Sequence, residues 1–212
     1  MTRLPVLSDA HIAGTLKRYA FVADPAICRH IRAYISLLLA WNEKISLTTV
    51  RDPDEILRLH FGESLFAAST VPIQNGRLAD VGSGAGFPGL PLAMTSSGLH
   101  VLLVESNLKK AAFLAEAIRV AEISNADVLR ARMEEAGPEI SGLNFVTARA
   151  LGDYEQLLAW SRRRLALPGK VVLWMTLPDA ARMSRLPAWL WQRPTPIPDS
   201  KAKCLLVGSP EQ

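Results

Sequence analysis

Apolar residues follow two different patterns in the two parts of this chain. In the first 70 residues they recur every three or four positions, as they do along one face of an α-helix. This spacing predicts helices over 8–21, over 25–41 and from 53 to about 66, with an irregular segment over 42–50. A residue that can cap a helix precedes each one, and two of these are followed by proline at the first helical position. The caps are Ser8, Asp24 before Pro25, and Asp52 before Pro53.

After residue 76, short apolar runs alternate with amphipathic stretches. The predicted strands are 77–81, 100–104, 126–130, 143–148, 170–175 and 203–207. The predicted helices between them are 88–95, 106–121, 153–166 and 178–186. Alternation of this kind predicts an α/β fold, with a mostly parallel sheet and helices on both faces. We expect a helical extension over 1–70, packed on an α/β domain over 71–212 as a single globular unit. The proline-rich stretch 187–199 is not expected to be helical throughout.

A glycine-rich segment joins the first strand to the next helix. It reads Asp80-Val81-Gly82-Ser83-Gly84-Ala85-Gly86-Phe87-Pro88-Gly89. Glycines can take positive φ and let the backbone approach a ligand, and the helix that follows directs its N–H groups to the same place. Glu105 ends the following strand, about 20 residues further on, where an acidic residue can bind the hydroxyls of a ribose.

The spacing of the glycines separates two classes of cofactor. A dinucleotide motif, Gly-x-Gly-x-x-Gly, would need glycine at position 87, which is Phe87. The observed Gly-x-Gly-x-Gly, with Asp80 ahead of it, favours the nucleoside-binding loop of an S-adenosylmethionine (SAM) methyltransferase. The alternatives are a turn that binds nothing and a Glu105 that only caps the next helix.

Two more turns carry polar residues at the same edge of the predicted sheet. After the third strand, Met133 can offer an apolar contact and a backbone N–H to an adenine, and Glu134 can accept from the adenine amino group. The alternative is a helix start, where acidic residues are favoured. Arg149 ends the fourth strand and can bind a substrate base, a phosphate or the cofactor carboxylate; the alternative is a structural ion pair.

Composition restricts the classes of protein. The chain has 212 residues, 49% hydrophobic and 21% charged, as in ordinary globular proteins. A net charge of +4 and a pI of about 9.3 permit nucleic-acid binding without requiring it. The run Arg162-Arg163-Arg164 is a solvated helix face or, alternatively, an RNA contact. No apolar run reaches membrane-spanning length and residues 1–5 show no signal peptide, so we expect a cytoplasmic protein, and we expect it to be a monomer.

Neither a metal site nor an acid–base catalyst is predicted. The two cysteines, Cys28 and Cys204, are far apart and are expected to be reduced core residues. The four histidines lack metal-ligand spacing. One of them, His60, lies on a helix face with Glu63 and Ser64, where it either links the helices to the cofactor site or is simply structural.

Together these residues resemble the bacterial small-subunit ribosomal RNA guanine-N7 methyltransferases, the RsmG or GidB family. The segment from Asp80 to Leu92 is the most specific part of the resemblance. The other matching segments are Trp41-Asn42 with Leu47-Thr48, Glu105-Ser106 with Lys109-Lys110 and Phe113-Leu114, Arg132-Met133-Glu134, and Ala148-Arg149-Ala150.

The resemblance implies a Rossmann-like class I fold with a seven-stranded sheet, and SAM as methyl donor with S-adenosyl-L-homocysteine as product. It implies a guanine in the decoding-region loop of 16S ribosomal RNA as target, in free RNA or in the small subunit. No catalytic residue is assigned, because guanine N7 carries no proton to remove. The candidate cofactor-binding residues are Asp80, Gly82, Gly84, Gly86, Phe87, Glu105, Ser106, Met133, Glu134 and Arg149.

The chain departs from the family pattern near the presumed RNA side. The departures are Ser46, Leu59 and Glu63, and Met175-Thr176 in place of a Lys-Gly pair. They remove positive charge and leave the SAM-binding segments intact. Two alternatives therefore stay open: a SAM-dependent enzyme with a different substrate, and a non-catalytic protein that binds SAM or RNA.

Overall fold

A computed structural model describes residues 7–211. They form one eight-stranded mixed sheet with helices packed on it. Residues 1–6, which carry the expectation about a signal peptide, lie outside the described residues. The sheet order is β3-β2-β1-β4-β5-β8-β6, and β7 also pairs with β8. The strands are β1 Gly76–Val81, β2 Leu99–Val104, β3 Ala126–Leu129, β4 Leu143–Arg149, β5 Leu165–Thr176, β6 Trp189–Trp191, β7 Thr195–Pro196 and β8 Lys203–Pro210.

The first five strands pair in parallel, and β8 returns antiparallel to β5. The predicted fold class is confirmed, but the sheet has eight strands and not the seven that the resemblance implies, because to the six strands predicted from the apolar pattern the stretch 187–199 adds β6 and β7. Each of these has two or three residues, which is too few to show a period of two along the sequence. Both form because β8 offers them a partner for backbone hydrogen bonds.

The helices cover both faces of the sheet. They are α1 Asp9–Lys17, α2 Pro25–Asn42, α3 Pro53–Ile56, α4 Glu63–Thr70, α5 Gly89–Ala93, α6 Leu108–Val120, α7 Tyr154–Arg162 and α8 Leu177–Met183. The predicted caps are confirmed, because the side chains of Ser8, Asp24 and Asp52 accept backbone N–H groups three residues later. The prediction for α7 extends too far, because the chain after Arg162 turns and Leu165 pairs with Leu143 of β4.

The third predicted helix is interrupted. A π-helical segment, Leu57–Gly62, lies between α3 and α4. Gly62 within it leaves room for the ring of Tyr19, which any Cβ at this position would strike. Such segments are rare and often occur at functional sites. Here the segment carries Leu59 and His60, both of which face the end of β4.

The helices of the first 70 residues share one hydrophobic core with the sheet. Ile31 and Leu38 of α2 belong to the same buried cluster as Val101 and Leu103 of β2. A second cluster on the opposite face joins α7 and α8 to β4 and β5. No contact boundary separates the helical segment from the sheet within the described residues, and the division at residue 70 stays a prediction.

Candidate functional site

The glycine-rich loop follows β1 with three positive φ angles. The φ values of Gly82, Gly84 and Gly86 are 71°, 57° and 83°. At Gly86 a side chain would also meet the hydroxyl group of Tyr34, which donates to the carbonyl of Ala85. This loop therefore needs glycine for its backbone conformation and for the close approach of α2.

Asp80 lies beneath the loop and holds its two ends together. Its Oδ1 accepts from the Thr147 hydroxyl at 2.7 Å, and its Oδ2 accepts from the N–H of Gly89 at 3.2 Å. The residue is 1% exposed. Burial raises the pKa of its carboxyl from 3.8 to about 6, against the lowering effect of its hydrogen bonds and of Arg149. Asp80 is thus placed to support the loop rather than to face a ligand.

A cavity of about 240 Å³ opens over the carboxyl ends of β1, β2 and β3. Five candidate residues line it: Gly82, Glu105, Ser106, Met133 and Glu134. The remaining lining residues, which sequence reasoning did not assign, are Val81, Val104, Ala131, Arg132, Leu151, Asp153 and Gln156. Asp153 caps α7, and this capping position is the signal in the sequence that could have placed it at this edge of the sheet.

Glu105 is the central polar group of the cavity. Its Oε2 accepts from Gly84 N at 2.8 Å, and its Oε1 accepts from Asn107 N at 2.8 Å. A carboxylate oxygen can accept two hydrogen bonds, so each oxygen keeps a lone pair for another donor. The two backbone bonds fix the carboxylate in place, and its free lone pairs suit a pair of vicinal hydroxyl groups such as those of a ribose.

The other five candidates do not line this cavity. Gly84 contacts it through Glu105, whereas Asp80, Gly86 and Phe87 are buried and pack against Thr147 of β4 or Tyr34 of α2. The Phe87 ring stacks on Tyr34 with centroids 5.4 Å apart and lies 4.8 Å from the His60 ring. These aromatic contacts link the loop to α2 and to the π-helical segment. Phe87 therefore has a packing role that the spacing argument had not suggested.

Arg149 faces the N-terminal helices. Its Nη2 donates to the Leu59 carbonyl at 2.9 Å and to Nδ1 of His60 at 3.3 Å. The same Nη2 lies 3.3 Å from Oε2 of Glu63. Burial lowers the pKa of the guanidinium, which Glu63 and Asp80 partly offset. The structural alternative for Arg149, an ion pair, is thus present at the end of β4.

His60 is held as a neutral ring. Because Arg149 donates to Nδ1, the ring proton lies on Nε2, which is 2.8 Å from the hydroxyl oxygen of Thr48. That oxygen also accepts from the N–H of Val50. Burial and the charge of Arg149 lower the pKa of His60 from 6.5 to about 4. His60 therefore joins the segment after α2 to the end of β4, and of the two alternatives stated above, its link to the cofactor site stays a prediction.

Glu63 bridges two cations. It is 1% exposed, and its Oε1 accepts from Lys203 Nζ at 2.8 Å while its Oε2 faces Arg149. Lys203 stands directly across the sheet from Thr176. A cation of the neighbouring strand thus lies beside the end of β5, where the chain has Met175 and Thr176. His60, Glu63, Arg149 and Lys203 are called the junction below.

Two kinds of feature are absent from residues 7–211. No helix in this range is both long and apolar enough to cross a membrane. No group of three or more His, Cys, Asp or Glu side chains is arranged there to hold a metal ion.

Comparison with known proteins identifies the family. The family model described as GidB, rRNA small subunit methyltransferase G, matches residues 27–179. The protein named Ribosomal RNA small subunit methyltransferase G from Xanthomonas euvesicatoria pv. vesicatoria is 39% identical over 165 residues, which cover 78% of this chain and 76% of that relative. Its namesake from Stenotrophomonas maltophilia is 37% identical over 192 residues, covering 89% of each chain.

The fold has relatives among solved structures at much lower identity. A SAM dependent methyltransferase from Aquifex aeolicus superposes with a TM-score of 0.61 at 14% identity, over 73% of this chain and 92% of that one. The fold resemblance agrees with the family match. This chain therefore belongs to the rRNA small subunit methyltransferase G (GidB) family and is a SAM-dependent methyltransferase.

Proposed function

We propose that this protein methylates N7 of a guanine in the 16S ribosomal RNA of the small subunit, in the cytoplasm and as a monomer. The observation that carries the proposal is the cavity around Glu105, beside the end of β4, in a chain of this family. The names of the relatives at 37–39% identity support the small-subunit RNA as substrate.

The residues of the cavity fit the nucleoside part of SAM. Glu105 would accept from the ribose hydroxyls through its free lone pairs, and the buried Met133 would contact the adenine. The N–H of Ser106 and the carboxylate of Glu134 would complete the polar contacts. Gly82, which also lines the cavity, leaves space for the amino-acid part where a side chain would crowd it.

Methyl transfer from SAM to guanine N7 requires mainly that the protein align the two reactants. Bound SAM supplies an electrophilic methyl group, and guanine N7 offers a lone pair that carries no proton. The reacting atoms must be held in line, which is a matter of positioning. Because the cavity lies over β1, β2 and β3, the guanine would lie over the ends of β4 and β5. The junction borders that position and would orient the base through its net positive charge.

The first test uses purified protein, methyl-labelled SAM and undermethylated small ribosomal subunits. Nucleoside digestion should recover the label as 7-methylguanosine from the small-subunit RNA. Label in another nucleoside or another molecule would favour a SAM-dependent enzyme with a different substrate. Tight SAM binding without any transfer would favour a binding protein without catalytic activity.

A second test addresses the assignment of Glu105. Glu105→Gln keeps the size of the side chain but removes the charge and replaces one acceptor by a donor. We expect the affinity for SAM, measured by calorimetry, to fall 10- to 100-fold, the value of about one hydrogen bond to a charged group. Glu116→Gln is the matched control, since Glu116 lies on α6 and accepts from Trp41 outside the cavity. Equal affinities of the two variants would remove Glu105 from the site.

A further inference from the structure

The edge of the sheet that carries the glycine loop continues beyond β4. There β5 ends at Thr176, and β8 begins directly opposite it at Lys203. Next to β8 lies β7, with Thr195 and Pro196 paired to its first residues. Neighbouring strands are about 5 Å apart, so β7 lies roughly 15 Å from β4 along this edge. A long substrate bound at β4 would reach β7.

A second cavity opens at this place. It has a volume of about 500 Å³ and is lined by Leu177, Arg193, Pro194, Thr195 and Pro196. Leu177, which follows β5, is a large apolar residue that is 41% exposed. We call this feature the proline cavity. Rigid apolar walls with a guanidinium group beside them suit the face of a nucleobase and its phosphate.

The charge around the proline cavity is positive. Arg193 and Lys201 are both exposed, and neither forms an ion pair with any of residues 7–211. Lys203, the next cation along this edge, is shared with Glu63 of the junction. The two acidic residues of this region are both paired, Asp179 with Arg182 on α8 and Asp199 of the β7–β8 turn with Arg18 of the N-terminal helices. A polyanion therefore finds one free cation, Arg193, in the cavity lining, and a second, Lys201, in the turn next to it, where the carbonyl of Ala202 accepts from the N–H of Leu177.

The densest basic run of the sequence lies elsewhere. Arg162 and Arg163 line a groove of about 370 Å³ at the end of α7, together with Glu155 and Trp189. That end of α7 is next to the start of β5, at the opposite edge of the sheet from the glycine loop. Glu155 also brings a negative charge to the groove. The run is less well placed to hold RNA whose target base lies at β4.

We propose that the proline cavity binds a nucleotide of single-stranded RNA close to the target guanine. Arg193 and Lys201 would contact its phosphates, while Leu177 and the prolines would contact the base. This inference rests on the proposed function, because it requires an RNA substrate. It assigns RNA binding to a segment whose sequence, a proline-rich tail, carried no sign of it.

The test compares Arg193→Glu with Arg163→Glu in the full-length protein. Each variant reverses one exposed arginine, so the net charge of the protein changes equally. With undermethylated small subunits as substrate, Arg193→Glu should raise KM at least tenfold and leave kcat and the dissociation constant for SAM within twofold. Arg163→Glu should leave all three within twofold. Arg193→Ala should lower the salt slope of RNA binding by about 0.7, as expected for one lost contact to single-stranded RNA.

Each outcome of this comparison either supports or overturns the proposal that the proline cavity binds RNA. Equal KM values for both reversed variants and the wild type would overturn the proposal. A larger effect of Arg163→Glu would overturn it in favour of the groove on α7. Unchanged SAM affinity in Arg193→Glu shows that the variant is folded. If the wild type binds SAM but neither binds nor methylates small-subunit RNA, the proposed function itself fails, and this inference fails with it.

Discussion

The glycine loop and the junction meet at the same edge of the sheet but are built in opposite ways. The loop and its cavity come from the segments that follow β1, β2, β3 and β4 and depend largely on backbone groups, such as the N–H groups of Gly84 and Asn107 that fix Glu105. The junction depends on charged side chains separated by up to 140 residues, as in the contact of Glu63 with Lys203. A cofactor site can thus be encoded locally, whereas the neighbouring substrate side needs the complete fold.

The largest expected effect is on the junction. Glu63→Gln leaves Arg149 and Lys203 without the carboxylate that they share. Breaking a buried ion pair costs about 3–5 kcal/mol, and the partial exposure of Lys203 reduces this, so we expect a loss of about 3 kcal/mol in unfolding free energy. Urea denaturation measures it. Arg182→Gln, which breaks the exposed pair with Asp179, should change stability by less than about 0.5 kcal/mol. Similar losses in both variants would show that burial of the junction is unimportant.

The second effect concerns the support of the loop. Because the pKa of Asp80 rises from 3.8 in the unfolded chain to about 6 in the fold, the native state holds the proton more tightly between these values. The tighter binding of this proton stabilises the native state fully below about pH 3.8, and this stabilisation is lost as the pH rises through about 6. Asp80→Asn removes this dependence.

Urea denaturation of the wild type and of Asp80→Asn at pH 4.5 and 7.5 measures this pH dependence of stability. The stability of Asp80→Asn relative to the wild type should increase by about 2 kcal/mol between these pH values. Any part of the stability difference between Asp80→Asn and the wild type that is the same at both pH values reflects the altered hydrogen bonds to Thr147 and Gly89. A difference that does not change with pH would contradict the raised pKa.

The third effect is on the affinity for SAM. Gly84 has a φ of 57°, and a Cβ there would lie 3.8 Å from its nearest neighbour, so a small side chain fits but is strained. Gly84→Asp adds a negative charge beside Glu105 and near the expected cofactor carboxylate. We expect calorimetry to show at least a tenfold loss of affinity. Gly84→Asn is the control, because asparagine tolerates the same φ without the charge. Equal losses would assign the effect to strain alone.

The smallest effect concerns the link through His60. Thr48→Val removes the hydroxyl oxygen that accepts from His60 Nε2 and from the N–H of Val50. A buried hydrogen-bond donor left without an acceptor costs about 1–3 kcal/mol. Because Thr48 and His60 are partly exposed, we expect the unfolding free energy to fall by about 1 kcal/mol. Affinity for SAM should not change. Thr195→Val, at an exposed position, is the control in the same thermal denaturation assay. A fall in SAM affinity on Thr48→Val would show that the junction and the cavity are coupled.

Sequence reasoning predicted the elements that depend on local chemistry. The caps at Ser8, Asp24 and Asp52 act through contacts three residues away, so they were visible in the sequence. The family, the fold class and the dependence on SAM were confirmed because the segment from Asp80 to Leu92 is specific. The individual cofactor contacts stay predictions, although five of the ten candidates line the cavity.

Other features escaped prediction for identifiable reasons. Short strands such as β6 and β7 lack periodicity, and the π-helical segment, in which Gly62 packs closely against Tyr19, has no pattern of its own in the sequence. Arg149 was expected to face a ligand or an ion-pair partner, and only the fold could show which groups surround it. The sequence indicated a loss of positive charge at Thr176 but not that Lys203 lies opposite it. The pairing of β5 with β8 brings these residues together although they are 27 positions apart.

The sequence by itself determined the alternation of helices and strands, the glycine loop and the acidic residue that faces it, because each arises from the spacing of neighbouring residues. Tertiary structure alone decided that Asp80 supports the loop, that Glu63 balances Arg149 and Lys203, and that Arg193 rather than Arg163 lies on the edge of the sheet that carries the cavity around Glu105. The physical reason is that burial and charge pairing depend on which distant segments meet.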